Sequence, residues 1–185
     1  MEDNVYEIIS GEKFKFLSDN LTTSQIKGRI AFSICKHFIA TKSGHAFFNT
    51  RVYFSDENSF IPDVVVVLKS NEKILAGRKN IYGAPDMVVE VLSYSTRNRD
   101  LGVKKDTYEA QGVREYWIVD PWAKSVAVYL LRDGKYFLDD RYILLEGDDL
   151  ETLTDEEKAD LKTEVPVSIV EGLNVPLKFI FDWGY

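Results

Sequence analysis

The sequence is poor in residues that hold metals or react covalently. Cys35 is its only cysteine, and His37 and His45 are its only histidines. These counts exclude disulfide frameworks, zinc fingers, iron–sulfur centres and histidine-rich metal sites. A Cys–His pair is not excluded by counting, but Cys35 and His37 are two positions apart on a predicted helix and therefore face different directions. Any chemistry must rest mainly on carboxylates, lysines and hydroxyls, with an oxygen-liganded metal as one option.

Long apolar runs and a secretory signal are also absent. No apolar stretch approaches the roughly 18 residues of a membrane helix, and the N-terminal residues 1–4 are acidic rather than apolar. The 185 residues, 45% of them hydrophobic, suffice for one well-packed domain but not for two ordinary ones. We therefore expect a single domain over residues 1–185, located in the cytoplasm and without a membrane partner.

The chain also lacks the basic excess that often accompanies nucleic-acid binding, since its net charge is −7. Residues 146–160 contain eight acids and one base, so their net charge of −7 equals that of the whole chain, and the remainder of the chain is neutral. The overall charge therefore says little about the functional face. We expect residues 146–160 to form an exposed acidic segment, with a capping box at Thr154 and Glu157.

Apolar periodicity predicts alternating strands and helices. Residues 5–9 and 13–17 suggest an opening hairpin. Ile26, Ile30, Ile34 and Phe38 then recur at helical spacing, which places Cys35 beside them in the core. The candidate caps of this first helix are Thr22, Thr23 and Ser24. Later strands are predicted at residues 46–54, 64–68, 87–92, 115–119, 125–131 and 135–138, and a second helix from near Asp100 to Gln111, ended by Gly112.

This order of elements predicts an α/β or α+β fold with a mixed central sheet flanked by helices. Strands 64–68 and 87–92 are almost continuously apolar, which is typical of strands covered on both faces. We expect these two strands at the centre of the sheet.

Two carboxylates interrupt the apolar pattern. Glu90 lies inside strand 87–92, where an ionised side chain is costly unless it is paired or liganded. A purely structural role fits Glu90 about equally well. In that role it is a carboxylate at the margin of the sheet, paired with a lysine or hydrogen-bonded to backbone amides. The position of Asp63 favours a functional role for Glu90, because a strand–loop–strand connection brings the two acids toward the same end of the sheet. Two converging acids need a cation between them, and oxygen-only ligands point to Mg²⁺ or Mn²⁺.

The next helix carries candidate residues that can act beside a metal. Lys104 and Tyr108 are four positions apart and therefore share a helix face. A lysine beside a metal can orient the attacking water or stabilise charge on a phosphate. Because most lysines are simply exposed, it is the position after the two acids that singles out Lys104.

At this point the sequence resembles a known family, the Uma-two-type restriction endonucleases of the PD-(D/E)xK nuclease superfamily. The resemblance runs from about residue 6 to residue 131 and is densest in three stretches, GAPDMVVEVLSYSTRNRD, KKDTYEAQGVREYWIVDP and VAVYLL. It implies a restriction-endonuclease-like core and a hydrolase that uses Mg²⁺ or Mn²⁺ to cleave DNA phosphodiester bonds.

The resemblance also implies roles for particular residues. Asp63 fills the aspartate of the Pro-Asp motif and Glu90 fills the acidic position of the following strand. The main-chain carbonyl of Val91 is a plausible third metal ligand. The superfamily lysine expected two residues after the acid is replaced by Leu92, and Lys104 on the following helix matches the displaced position.

Further positions are secondary candidates. Lys105 is the immediate rival of Lys104, and Tyr108 shares the face of Lys104. Asp86 belongs to a second Pro-Asp pair, although it can equally serve a turn. The family often carries a histidine just before the first helix, and here Thr23 stands in its place.

Basic residues near the site strands are candidate phosphate contacts. Each alone is most simply a solvated loop residue, but together they flank the proposed metal on both sides in the chain. They are Lys69, Lys73, Arg78 and Lys79 in the first connection, with Arg97 and Arg99 after the second strand. DNA is thus the expected partner, the acidic segment should face away from it, and a homodimer would suit cleavage of both strands.

Two alternatives from other functional classes remain open. One alternative is a DNA-binding or assembly protein that has a nuclease fold but has lost catalysis. Leu92, in place of the superfamily lysine, supports this alternative. A hydrolase can instead use Asp63 and Glu90 as a metal-free acid–base pair on another substrate. Divalent-metal binding and metal-dependent DNA cleavage distinguish the three possibilities.

Overall fold

The computed structural model describes residues 5–16, 20–77 and 79–182, so Leu17, Arg78 and Trp183 lie outside the described residues. Strands and helices alternate along the chain. In order they are β1 (Tyr6–Ile9), β2 (Glu12–Lys15), α1 (Leu21–Thr41), β3 (Gly44–Phe48), β4 (Val52–Tyr53), β5 (Ser59–Phe60), β6 (Val64–Leu68), the 3₁₀ helix Lys69–Leu75, β7 (Ile81–Tyr82), β8 (Met87–Val91), α2 (Arg97–Leu101), α3 (Val103–Gln111), β9 (Glu115–Asp120), β10 (Ser125–Arg132), β11 (Lys135–Ile143), α4 (Asp148–Glu151), α5 (Asp155–Ala159), β12 (Glu164–Pro166), β13 (Asn174–Pro176) and α6 (Leu177–Phe181).

A six-stranded sheet in the order β11-β10-β9-β8-β6-β3 forms the centre of the molecule. Strands β8 and β9 run parallel, while the other neighbours run antiparallel. Helices α2 and α3 therefore make the crossover between β8 and β9. The fold is mixed α+β, as predicted. The two middle strands are β8 and β9, so β6 lies one place further from the centre than expected.

Both faces of the central sheet are covered. Helix α1, helix α6 and the β12–β13 pair cover one face, where Val64, Val89 and Trp117 are fully buried. Helix α3 and a smaller sheet, β2-β1-β5-β4-β7, cover the other face. Double coverage explains why β6 and β8 read as almost continuous apolar runs.

Helix α1 follows the predicted apolar spacing, since Ile26, Ile30, Ile34 and Phe38 are all buried. The predicted caps are wrong, because Asn20 caps the helix and its side-chain oxygen accepts from the Thr23 backbone N–H at 2.9 Å. Asn20 is the last residue with extended backbone angles, which is the position where a capping side chain is needed. Cys35 is only partly buried, at the margin of the core.

Two predicted elements are each divided in the structure. The strand expected at 46–54 ends at Phe48, because Asn49 takes a left-handed conformation with φ 48° and turns the chain toward the smaller sheet. The helix expected near 100–111 breaks at Gly102, where a Cβ would lie 2.9 Å from the Asn98 carbonyl oxygen. The predicted stop at Gly112 is confirmed, with φ 84°.

The C-terminal segment is joined to the central sheet through Glu115, the first residue of β9. Its carboxylate is fully buried and accepts from the Trp117 indole N–H at 2.7 Å. It also accepts from the backbone N–H groups of Ser168 and Ile169, at 3.1 and 2.9 Å. Burial raises the pKa of Glu115 to about 7 despite these donors.

The acidic segment 146–160 lies at the surface, as expected. Helices α4 and α5 bury none of their residues, and Thr154 and Glu157 form the predicted capping box. Among the described residues, no helix combines the length and the apolarity that crossing a membrane would require.

A pair of glycine substitutions tests the packing of α1 on the central sheet. Gly44 begins β3, and a Cβ there would lie 2.9 Å from the Val67 carbonyl oxygen and 3.0 Å from the Phe38 ring. Gly44→Ala should therefore lower the free energy of unfolding by about 1–3 kcal/mol. Gly28→Ala is the control, since it lies inside α1 with nothing within 4 Å, and should stabilise by about 0.5–1 kcal/mol. Urea unfolding of both variants measures these changes; a stabilised Gly44→Ala would contradict the described packing.

Candidate active site

The two predicted acids meet at one end of the central sheet. Strands β6 and β8 pair antiparallel with Val64 opposite Val89, which sets Asp63 beside Glu90. Asp63 Oδ2 accepts from the Val91 backbone N–H at 2.6 Å. Asp63 is 7% exposed and Glu90 2% exposed. The expected convergence of the two acids is thus confirmed, and both are nearly removed from water.

Helix α3 provides a lysine and a tyrosine to the same carboxylate. Lys104 Nζ lies 2.5 Å from Glu90 Oε1, and the Tyr108 hydroxyl donates to that oxygen at 2.6 Å. Lys104 Nζ also lies 3.3 Å from Glu7 Oε1 and 3.4 Å from Asp100 Oδ1. The four-residue spacing of Lys104 and Tyr108 places both on the buried face of the helix, as predicted.

Three site residues were not identified from the sequence. Lys27 on α1 lies 2.5 Å from Asp63 Oδ1. Glu7 on β1 accepts from the Ile61 backbone N–H at 2.9 Å, which ties the smaller sheet to the site. Asp100, expected only to stabilise a helix start, is buried four residues before Lys104.

A signal for two of these residues is present in the sequence. Lys27 falls among the apolar positions of α1, three residues before Ile30, and is itself buried. Glu7 shares a strand face with Ile9, which is also buried. A charged residue at a core position is costly unless it is paired, so such positions indicate a partner of opposite charge.

These residues line a cleft of about 250 Å³. Its mouth is formed by the segment after β8, including Tyr94, and by Arg99 on α2. A larger cleft of about 800 Å³ opens elsewhere, beside His45 and Glu72. The smaller cleft is the candidate site, because the buried carboxylates and lysines converge there.

Burial and neighbouring charges oppose each other in the cluster, and burial prevails at the two acids. Burial raises the pKa of Asp63 to about 6, and the nearby Lys27 ammonium offsets only part of that rise. Burial likewise raises the pKa of Glu90 well above its ordinary value, with Lys104 opposing. Burial alone would lower the pKa of Lys104, but the charges of Glu90, Asp100 and Glu7 outweigh it and raise that pKa. Lys104 is therefore a cation at neutral pH.

Comparisons with known proteins identify the family and the fold of the chain. The Uma2 family model, described as "Putative restriction endonuclease", matches residues 1–165. The chain belongs to the Uma2 family. A solved structure described as that of "a putative nuclease belonging to DUF820 from Anabaena variabilis ATCC 29413" shares the fold, with a TM-score of 0.73 and 20% sequence identity. The match covers 98% of the Uma2 chain and 92% of that chain. None of the curated proteins matches the chain.

The charge balance of the Uma2 site fits a divalent cation. Four carboxylates, those of Glu7, Asp63, Glu90 and Asp100, face two lysines and the guanidinium of Arg99, which lies 3.9 Å from Glu7. The formal balance is therefore negative. Asp100 Oδ1 lies 3.4 Å from the Lys104 ammonium but accepts no hydrogen bond among the described residues. Such a cluster gains from an added positive charge.

The available donors also suit such an ion. Asp63 and Glu90 offer carboxylate oxygens, and the adjoining Val91 offers a main-chain carbonyl, the hard ligands that Mg²⁺ and Mn²⁺ prefer. Within the described part of the chain, no group of three or more histidine, cysteine, aspartate or glutamate side chains is arranged to hold a metal. The set would therefore be two carboxylates completed by main-chain or water oxygens.

Two secondary candidates lie away from the cleft. Asp86 is at the opposite end of β8, where it accepts from the Leu68 backbone N–H at 2.7 Å and pairs with Arg114 at 2.5 Å. Asp86 therefore stabilises the connections between strands at that end of the sheet, away from the site. Lys105 Nζ lies 3.9 Å from the centroid of the Tyr129 ring, on another face of α3 from Lys104.

The predicted basic residues divide into two groups. Lys69, Lys73 and Lys79 follow the far end of β6 in the chain. At the usual strand rise, that end of the strand lies about 17 Å from Asp63. The chain leaves β6 at the end opposite the two acids, and the expected phosphate contacts of these three lysines stay a prediction. Arg97 and Arg99 do lie at the site end, where Arg97 pairs with Asp120 at 3.0 Å. Arg78 lies outside the described residues.

The raised pKa of Asp63 predicts a pH dependence of stability. Between about pH 4 and pH 6 the folded protein binds a proton at Asp63 that the unfolded chain has released, so stability falls as pH rises through this window. The loss should reach about 2–3 kcal/mol. Asp63→Asn should make this slope shallower in urea-unfolding free energies measured in EDTA, while the raised pKa values of Glu90 and Glu115 keep a slope in both proteins.

Asp133→Asn, in the exposed turn between β10 and β11, controls for the substitution itself. The assignment fails if the stability curves of the wild type and Asp63→Asn run parallel from pH 4 to pH 7.

Proposed function

We propose that this Uma2 chain is a metal-dependent endonuclease that hydrolyses DNA phosphodiester bonds. The observation that carries the proposal is the group formed by Asp63, Glu90 and Lys104, in which Lys104 Nζ lies 2.5 Å from Glu90 Oε1 within an open cleft. Membership of a family described as restriction endonucleases and the nuclease-like fold support the same reaction class.

Asp63, Glu90 and the Val91 carbonyl would hold Mg²⁺ or Mn²⁺. Such an ion, when bound, neutralises charge that develops on the phosphate and makes water a stronger nucleophile at neutral pH. The chain's own part is to place oxygen ligands on two adjacent strands. Lys27 contributes by anchoring Asp63 Oδ1, while the Val91 backbone N–H fixes Oδ2.

Lys104 acts as a positive charge rather than as a base. The surrounding acids raise its pKa, so it keeps its proton at neutral pH. From its position at Glu90 it can stabilise charge on the scissile phosphate. Tyr108 donates to the same Glu90 oxygen and holds that carboxylate in one orientation. Water attacks phosphorus and the bond to the leaving oxygen breaks, without a covalent enzyme intermediate.

DNA would approach from the side of Arg97 and Arg99, which can contact phosphates at the mouth of the cleft. The acidic segment 146–160 would face away from the DNA. A homodimer would present two such sites to the two strands.

A catalytically silent DNA-binding or assembly protein is the second candidate. Leu92 stands where the superfamily has its lysine, and it is buried in the core. Lys104 would then serve only to neutralise buried acids. The two experiments below separate these functions.

The metal assignment predicts that Mn²⁺ binds and that both acids contribute. Calorimetric titration at pH 7.5 should show binding that Asp63→Ala and Glu90→Gln each weaken at least about tenfold, since each removes a charged ligand. Wild-type binding should be weaker at pH 5, because protons compete for Asp63, whose pKa is about 6. Asp86→Asn, at the other end of β8, is the matched control and should leave the affinity unchanged. Equal binding by all variants would remove the metal from this site.

The lysine assignment predicts different outcomes for two neighbouring positions. Lys104→Met should lower Mn²⁺-dependent DNA cleavage about 10²-fold or more, since it removes the charge beside the phosphate. Lys105→Met should change cleavage less than about threefold, because Lys105 lies over Tyr129. Gel assays on supercoiled and linear DNA measure both.

Thermal melting must accompany this comparison, since Lys104→Met leaves three buried acids without their lysine. If Lys104→Met does not fold, Lys104→Arg keeps the charge but displaces it, and cleavage should still fall. Wild-type cleavage by a folded Lys104 variant would favour the silent binding protein.

A further inference from the structure

Two exposed aromatic rings lie side by side, and one of them, Tyr94, lines the cleft. Tyr94 follows β8 and is 87% exposed, and Trp122 follows β9 and is 46% exposed. Their ring centroids are 4.5 Å apart with planes at 48°. A large aromatic side chain gains free energy by leaving water, so two neighbouring exposed rings indicate a surface kept for a ligand.

Both rings are presented by turns that are already ordered. The turn carrying Tyr94 is closed by Ser93, whose hydroxyl lies 2.8 Å from the Thr96 hydroxyl and accepts from the Thr96 backbone N–H at 3.2 Å. The turn carrying Trp122 is closed by Asp120, whose carboxylate accepts from the Trp122 backbone N–H at 3.0 Å. Little conformational entropy is then lost when a ligand binds to them.

Guanidinium groups near the pair provide contacts for the phosphates of a nucleic acid. Tyr94 lines the same cleft as Asp63 and Glu90. Arg97 pairs at 3.0 Å with Asp120, which lies two residues before Trp122, and Arg99 lines the cleft. Aromatic rings combined with guanidinium groups are the combination that binds single-stranded nucleic acid, since bases stack on the rings while phosphates meet the cations.

We propose that Tyr94 and Trp122 form a stacking platform for an unpaired nucleobase of a DNA strand whose phosphate enters the Asp63–Glu90 cleft. This inference rests on the proposed nuclease function and adds a substrate class to it, namely single-stranded or locally unpaired DNA. A base inside a duplex is already stacked on its neighbours, so the platform can reach only a base that is unpaired or extruded. Stacking tolerates every base, so the platform selects strand structure rather than sequence.

The test compares fluorescence anisotropy for three labelled DNA probes at low salt. The probes are a twelve-nucleotide thymidine strand, its duplex with the complementary strand, and the same strand with abasic residues in place of its thymidines. Ca²⁺ replaces Mg²⁺ in the buffer, and gels confirm that the probes remain intact. The wild type should bind the thymidine strand about tenfold or more tightly than the abasic strand, and more tightly than the duplex.

Substitutions then locate the effect. Tyr94→Ala and Trp122→Ala should each weaken binding of the thymidine strand about fivefold or more, and should leave binding of the abasic strand within about twofold. Tyr94→Phe keeps the ring and should retain the affinity. Tyr82→Ala is the control: Tyr82 is 52% exposed and stacked on Tyr53, outside the cleft, so its removal should change none of the affinities.

Equal losses on the thymidine and abasic strands, or wild-type affinity in both alanine variants, would overturn the platform. A parallel Mn²⁺ cleavage assay separates this failure from that of the proposed nuclease. If the wild type cleaves DNA while neither alanine variant loses affinity, the nuclease stands and the platform falls. If no DNA is cleaved but the base-dependent affinity is lost in both alanine variants, the platform stands and the nuclease falls.

Discussion

The contact between Lys104 and Glu90 is the interaction around which the rest of the site is arranged. An ionised carboxylate inside a strand covered on both faces is costly unless a cation or several hydrogen-bond donors compensate for its lost hydration. Lys104 provides a cation for Glu90 from α3, and Asp100 on α2 and Glu7 on β1 pair with the same ammonium group. The three elements are therefore held in fixed positions relative to β8 by charge as well as by apolar packing.

The lysine comes from a helix and not from the strand that carries Glu90, so the packing of that helix determines where the lysine lies. Its distance from Glu90 depends on how α3 docks on the sheet, and aromatic packing sets that docking. The Tyr108 ring lies 5.5 Å from the Phe60 ring and 5.1 Å from the Tyr116 ring, so one side chain joins both sheets to the helix. The same Tyr108 donates its hydroxyl to Glu90, which links core packing to the orientation of a site carboxylate.

The fold was predictable where burial alone decides it. Strands β6, β8 and β9 are covered on both faces, so their sequences are apolar runs that cannot be mistaken for an amphipathic helix of the usual length. The predictions of element boundaries fail where the backbone conformation of a single residue determines the end of a strand or helix. The left-handed turn at Asn49 and the break at Gly102 have no counterpart in the apolar pattern, and each divides an element that the pattern joins.

The site was predictable to the extent that it lies on those strands. Asp63 and Glu90 stand out because they interrupt apolar runs, and the helix spacing of Lys104 and Tyr108 follows from local geometry. The contributions of Lys27 and Glu7 depend on how α1 and β1 pack against the strands, which is tertiary information. The lysines of the β6–β8 connection show the same limit, since they are near Asp63 in the chain while the chain leaves β6 at the end opposite Asp63.

Glu115 has a consequence for where the folding unit ends. The family region matched by the Uma2 model stops at residue 165, yet the carboxylate that begins the middle strand β9 takes two of its three donors from Ser168 and Ile169. A chain shortened to the matched region would leave that carboxylate with the Trp117 indole as its remaining donor, and would uncover the apolar residues of α1 that α6 packs against. Residues beyond 165 thus contribute to the core, and the packing continues past the region that the family model matches.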